Sequence, residues 1–191
     1  DYSDSLGYTI KLIGYAEVTN GEVEVSVQPT LLPKDHPLAS VKDENNAVAL
    51  YGAAVGETMF YGPGAGAMPT ATAIVSDVIS VVKRLKLGVS GKNMINFKNK
   101  RKLKGDENIE AKFYLRLNVK DEVGVLKDIT AVFANEKLSF ESVLQKPTKN
   151  PKDANLIIIT HKVILANYIS ALNKLKELDT VNRIDSSYRV I

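Results

Sequence analysis

The sequence has no cysteine among its 191 residues and only two histidines. A disulfide framework and a thiolate nucleophile are both excluded, and a zinc site would have to combine His36 and His161 with carboxylates. No apolar run reaches transmembrane length and no signal-peptide pattern opens the chain, so it reads as cytoplasmic, with no membrane partner. Also missing is a G-x-G-x-x-G between a strand and a helix, the fingerprint of a dinucleotide-binding turn. No serine in a nucleophile-elbow pattern accompanies either histidine. His36, beside Pro37, reads as a surface or turn residue, and His161 as a structural one at the end of a strand. The first residue is Asp1, not Met, inside what reads as the end of a helix, Asp4-Ser5-Leu6-Gly7. That start suggests a piece of something longer.

What is present is ordinary in bulk. An apolar fraction of 45% and a charged fraction of 25% are those of a soluble globular protein, long enough for one large domain or two small ones. The net charge of +3 misleads, however. Nine Lys/Arg and no Asp or Glu lie between Lys83 and Lys104; the remainder carries 16 basic against 22 acidic residues, a net of −6. Such a run can bind nucleic acid, but no nucleic-acid motif and no interleaved aromatic beyond Phe97 accompanies it, so a solvated connector is the better reading.

The most distinctive stretch is Tyr61-Gly62-Pro63-Gly64-Ala65-Gly66-Ala67-Met68-Pro69-Thr70. Glycines at alternate positions allow close backbone approach and positive φ, and Pro69 suits the first turn of a helix. The spacing of Gly62, Gly64 and Gly66 does not fit the dinucleotide fingerprint, although a helix start leaves free N–H groups that favour an anion. The helix predicted from Pro69 to about Leu85 has Ile74, Val75, Val78, Ile79, Val81, Val82 and Leu85 apolar, more than one stripe. It should be buried on most of its circumference, and it asks for a partner domain beyond this chain.

Before that helix, Tyr8–Tyr15 and Glu22–Val27 read as strands joined at Asn20-Gly21, a strong hairpin signal. Gln28–Leu38, with three prolines, reads as a loop. Asn46–Tyr51 and Glu57–Tyr61 form a second pair around Gly52 and Gly56. Lys11 is the odd charge in an apolar strand, and either snorkels or has a pairing role toward a site outside the chain. From Leu87 to about Asn108, glycine, asparagine and basic residues mark a linker. Beyond it, the apolar patterning of Phe113–Val119, Val125–Phe133, Leu138–Gln145, Leu156–Ile159, Ile164–Leu178 and Ile184–Val190 gives the order β-α-β-β-α-β. The expected class is therefore α+β: residues 1–86 form an antiparallel sheet subdomain with one long buried helix, 87–108 a basic linker, and 109–191 a ferredoxin-like domain.

Within that last domain, Leu117-Asn118-Val119-Lys120-Asp121-Glu122-Val123-Gly124-Val125-Leu126 resembles an ACT domain. Members of that family are small regulatory modules that bind amino acids, usually between two copies. Asp121, Gly124, Val125 and Leu126 match the pattern at the first turn, while Val123 stands where a proline is usual. A glycine at a strand-to-helix turn exposes backbone N–H groups to a carboxylate, and Asp121 can meet an ammonium group. The alternative is that Gly124 is merely the turn residue. The resemblance implies an amino-acid effector held by Asp121, Gly124, Val125, Leu126 and Ser139.

The first 86 residues resemble the C-terminal half of homoserine dehydrogenase, through Ile10-Lys11-Leu12-Ile13, His36-Pro37-Leu38-Ala39, Asn46-Ala47-Val48 and above all Tyr61 to Ala73, continuing into Val75-Ser76-Asp77-Val78. That family reduces aspartate semialdehyde to homoserine with NAD(P)H. The resemblance puts Gly62, Gly64, Ala65, Gly66 and Thr70 beside the nicotinamide end of the cofactor and packs the following helix on an N-terminal Rossmann domain. That domain, and the family's Asp- and Lys-bearing substrate motif, are missing. No hydride transfer is expected of this chain alone, no catalytic residue is assigned in it, and no cofactor is expected on it alone. Homo-oligomerisation as a dimer or tetramer is expected. The competing reading is a stand-alone amino-acid-sensing module.

Overall fold

The computed structural model describes residues 2–89 and 100–191. The expectations that rested on Gly91, Asn93, Asn96, Phe97 and Asn99 lie outside these residues. The described elements are α1 (Tyr2–Ser5), β1 (Tyr8–Thr19), β2 (Glu22–Pro33), β3 (Asn45–Gly52), β4 (Gly56–Pro63), α2 (Ala67–Lys86), β5 (Lys102–Leu103), β6 (Glu110–Lys120), α3 (Val125–Asn135), β7 (Phe140–Pro147), β8 (Asp153–Thr160), β9 (Val163–Ile164), α4 (Leu165–Lys176) and β10 (Val181–Val190). Mixed α+β, as the patterning requires, they form two compact units that divide differently from the sequence boundaries. One comprises Asp1–Lys34 with Arg101–Ile191, the other Asp35–Lys100.

In the first unit, β10-β6-β8-β7 make the four-stranded antiparallel sheet of a ferredoxin-like βαββαβ module. On β6, Phe113, Leu115, Leu117 and Val119 face a core that they share with Ile129 and Phe133 of α3 and Tyr168 and Leu175 of α4. Tyr114 points the other way, into a smaller cluster with Leu31, Ile157, Ile159 and Val190. Leu156 and Ile158 join the helix-side core while their neighbours join the second cluster, so β8 is apolar without alternation because both faces are covered. Each such side chain, taken fully out of water, contributes roughly 1.5–3 kcal/mol.

The second cluster explains why the N-terminal strands leave the subdomain to which their sequence assigned them. β2 pairs in parallel with β10, Thr30 opposite Arg189 and Leu31 opposite Val190, and the Ile191 N–H donates to the Leu31 carbonyl at 3.1 Å. β2 also runs through Pro29 to Pro33, where a loop was expected. On the β10 flank pairing covers only Thr30 and Leu31, so Pro29 interrupts no ladder there. The linker is shortened too. Lys102 and Leu103 pair with Glu22 and Val23, and the Lys102 and Lys104 ammonium groups lie 3.2 Å and 3.4 Å from Glu22 and Glu17. This end of the basic run is neutralised internally.

The β1–β2 hairpin turns at Asn20 and Gly21, both at positive φ. Its register puts Ile10, Leu12, Gly14, Ala16 and Val18 on one face with Val23, Val25, Val27, Pro29 and Leu31, ten positions without a polar side chain. Leu12 and Val27 are 73% and 75% exposed, and Leu31 alone of these is fully buried. The opposite face carries Tyr15, Glu17, Glu24 and Thr30. There the buried Glu24 carboxylate pairs with buried Arg189, whose guanidinium lies 4.3 Å from the centre of the Tyr15 ring.

In the second unit, β3 and β4 pair antiparallel from Asn45–Pro63 to Gly52–Gly56. α2 starts two residues earlier than expected, with Gly66 as its N-cap, and ends at Lys86, with Leu87 as its C-cap and Gly88 beyond it at φ +65. No residue of α2 is buried. The burial its many apolar residues implied is not supplied among the described residues of its own unit, because the short β3–β4 hairpin has too little surface to cover it.

Two outcomes follow. The Tyr168 ring stacks on Phe113 at 3.9 Å, its hydroxyl lies 2.7 Å from the Ser187 hydroxyl, and burial pushes its pKa up to about 12. A raised pKa means that the unfolded chain loses this proton first. Stability is therefore unaffected by Tyr168 below about pH 10 and falls between pH 10 and 12. Burial also raises the pKa of Tyr15, Tyr51 and Tyr114, so ultraviolet titration should show several late phenols, of which Tyr168→Phe removes the one near 12. Gly124 holds φ +100 in open space, so Gly124→Ala should cost about 1 kcal/mol in denaturant unfolding through backbone strain alone.

Candidate functional site

β6 ends at Lys120 and α3 begins at Val125, and the turn between them is fixed on both sides. The Lys120 N–H donates to the Thr180 carbonyl at 3.0 Å, while the Asp121 N–H donates to the Lys152 carbonyl at 2.8 Å. Gly124, left-handed with φ +100, then turns the chain into the helix and serves as its N-cap without a side chain. The first intrahelical bond runs from the Asp128 N–H to the Gly124 carbonyl, 3.1 Å, and no side chain caps the amides before it. An uncapped helix start of this kind favours an anion.

Over the turn lies a cleft of about 390 Å³, lined by Asp121, Gly124, Val125, Leu126, Gln145 and Leu156 together with the stems of neighbouring residues. Val125 and Leu156 are buried and supply an apolar floor, whereas Leu126 is half exposed at the rim. Gln145 Nε2 donates to Asp121 Oδ1 at 3.0 Å, which orients the carboxylate and leaves its other oxygen for a donor. A floor of apolar side chains, a fixed carboxylate and free amides can together hold a small zwitterion.

Of the sequence-assigned effector residues, four line this cleft: Asp121, Gly124, Val125 and Leu126. Ser139 does not. It precedes β7, and its carbonyl accepts from the His161 N–H at 3.0 Å. Gln145 is the residue that sequence reasoning missed. Its approach to Asp121 depends on register, since Gln145 pairs with Leu156, which in turn pairs with Leu117. Nothing in a single sequence sets that register.

The glycine turn in the other unit has a different structure. The Gly64 N–H donates to the Glu44 carbonyl at 2.7 Å, and a Cβ there would fall 1.7 Å from the Asn46 amide nitrogen. Gly66 is glycine for its φ of +120. Gly62 has nothing within 4 Å of an added Cβ, and Ala65 and Thr70 are exposed. The Thr70 N–H donates to the Gly66 carbonyl at 3.1 Å, the first turn of α2. His36 Nδ1 accepts from the Leu38 N–H at 3.1 Å and caps a single helical turn, Pro37–Ser40. His161 is exposed. Among the described residues no group of three or more His, Asp or Glu could hold a metal ion, and no helix is long and apolar enough to cross a membrane.

Comparison with known proteins agrees with both halves of the chain. Residues 1–79 match the family model for homoserine dehydrogenase, and residues 113–180 that for the ACT domain. Homoserine dehydrogenase of Bacillus subtilis is 48% identical over 99% of this chain, which covers 44% of that protein; the enzyme of Neisseria gonorrhoeae is 36% identical, with 95% and 43% covered. Among solved structures, a homoserine dehydrogenase from Thiobacillus denitrificans superposes over the whole chain with a TM-score of 0.89 at 32% identity, and 44% of it is covered. The S. aureus enzyme at pH 8.5 gives 0.63 at 30%. The chain thus spans less than half the length of the relatives it matches. With a homoserine dehydrogenase match over residues 1–79 and an ACT match over 113–180, the chain is similar to the C-terminal part of homoserine dehydrogenases that carry an ACT domain.

Proposed function

We propose that this chain is the regulatory and subunit-contact part of an enzyme that reduces aspartate semialdehyde to homoserine with NAD(P)H, in the cytoplasm. Its ACT domain binds an amino acid, threonine, as a feedback effector. The observation that carries the effector reading is the cleft over Asp121–Leu126, in which a carboxylate fixed by Gln145 stands beside uncapped helix amides. The effector's ammonium group meets the free oxygen of Asp121. Its carboxylate takes the N–H groups at the start of α3, and its side chain rests toward Val125, Leu126 and Leu156. Ser139 is dropped from the set and Gln145 takes its place.

In the whole enzyme, the turn at Gly62, Gly64, Ala65, Gly66 and Thr70 forms one wall of the nicotinamide site, and an N-terminal Rossmann domain supplies the rest. The open face of Gly62 and the exposed apolar length of α2 support this reading. A second copy of the chain covers the bare apolar face of the β1–β2 hairpin, whose exposed apolar residues favour sheet packing in a homo-oligomer.

Calorimetry with threonine should give saturable heat, and Asp121→Ala should weaken binding at least about tenfold, the value of one hydrogen bond to a charged group. No heat with threonine or any other aspartate-family amino acid would sink the effector reading. Mixed with NADPH and aspartate semialdehyde, this chain alone should leave the absorbance at 340 nm unchanged; steady oxidation would show that it carries a complete active site.

A further inference from the structure

Among the described strands, β10 alone pairs with both β6, whose end lines the cleft, and β2 of the hairpin. Just before its start, the Thr180 carbonyl holds the Lys120 N–H at 3.0 Å, and Val181 pairs with Val119, two residues from Asp121. At its end, roughly 30 Å along an extended chain of this length, Arg189 and Val190 pair with Thr30 and Leu31 of β2. The Ile191 N–H adds a bond to the Leu31 carbonyl, 3.1 Å. The far end is also fixed by charge. Arg189 and Glu24 pair out of solvent, Lys104 lies 3.9 Å from the same carboxylate, and the Tyr15 ring covers the guanidinium. A buried pair of this kind is costly to break from one side, because the survivor is left as an unpaired charge. Between the two ends, the β10–β6 register slips twice, between Val181 and Arg183 and between Ile184 and Ser186. Each slip is a bulge, where the strand bends and its ladder is locally broken. The two bulges are thus the irregular stretch of a strand that is anchored at both ends.

We propose that β10 is a coupling strand: the register of its bulged segment ties the geometry of the Lys120–Asp121 turn to the seating of the β1–β2 hairpin, with the Glu24–Arg189 pair as its anchor. The significance of this coupling for regulation rests on the amino-acid reading of the cleft, whereas the coupling itself needs no ligand. It predicts that loosening the anchor is felt at the cleft, and on one side of it only. The Lys120 N–H is bonded toward β10, but the adjacent Asp121 N–H is bonded to Lys152, beyond the other flank of β6.

Amide hydrogen exchange on the free chain tests this. In Glu24→Gln, exchange at Ile191 and at Lys120 should both accelerate about tenfold, a typical coupling within a domain. Asp121 and the β8 amides should keep wild-type protection. Should the glutamine variant not fold, Arg189→Lys, which keeps the charge and loses the planar stack on Tyr15, should give the same two accelerations. Acceleration at Ile191 with Lys120 unchanged overturns the proposal. So does equal acceleration at Lys120, Asp121 and β8, which is loss of global stability, and so does no change at Ile191. Because no effector is added, a failed threonine titration leaves this outcome standing, and a failed exchange experiment leaves the titration standing.

Discussion

The interaction on which the larger unit depends is the burial of β6 and β8 on both faces. A ferredoxin-like sheet needs its helices on one side only, and here α3 and α4 cover that side through Phe113, Leu115, Leu117, Ile129 and Phe133. The other side is also apolar, at Tyr114, Ile157, Ile159 and Val190. Water on that face would cost several side chains' worth of hydrophobic stabilisation. It is removed by residues from the far end of the sequence: Leu31 with Tyr2, Leu6 and Tyr8. The module thus recruits the N-terminal hairpin, and its compact unit cuts across the boundary between the two family matches.

That recruitment has an electrostatic cost. Bringing β2 beside β10 takes Glu24 and Arg189 out of water together, where neither would be stable alone. The arrangement offsets this by completeness: the pair, a second cation from Lys104 and an aromatic ring over the guanidinium. The hairpin is docked by Leu31 at one end of its apolar face and by Glu24 on its polar face, and the rest of the apolar face is left outward. Such exposed apolar surface suits a strand pair that has further surface to meet, and the broad apolar stripe of α2, in which no residue is buried, makes the same demand in the other unit.

How much of this was legible in the sequence follows from the range of the interactions. The βαββαβ order came from periodicity alone, because each element's burial pattern is written within a dozen residues. So did the hairpin at Asn20-Gly21 and the turn at Gly124. Placing β1 and β2 failed because their docking is decided by Arg189, 165 positions away from its Glu24 partner, and no local pattern carries that information. Pro29 misled for a similar reason: proline vetoes a central strand only where both flanks are paired, and pairing is a tertiary fact. Ser139 is a polar residue expected to open the strand after the first helix of the domain, whereas the carboxylate of Asp121 takes its polar contact from Gln145, six residues on, through strand register.

The cleft proposed for the effector shows why such a turn can be read locally even when its partners cannot. A strand that ends on the sheet's edge of polarity and a helix that starts five residues later must be joined by a tight turn, and only glycine takes φ +100 without strain. The same glycine, lacking a side chain, cannot cap the helix, so the amides stay open. Steric necessity at one residue therefore produces the electropositive half of a zwitterion site without any further selection for it. The other half, a carboxylate, needs only to be near, and Asp121 is three residues back. What the turn cannot provide is orientation of that carboxylate, and this comes from Gln145 across the sheet. The division is physical: the turn makes binding possible, and register makes it specific.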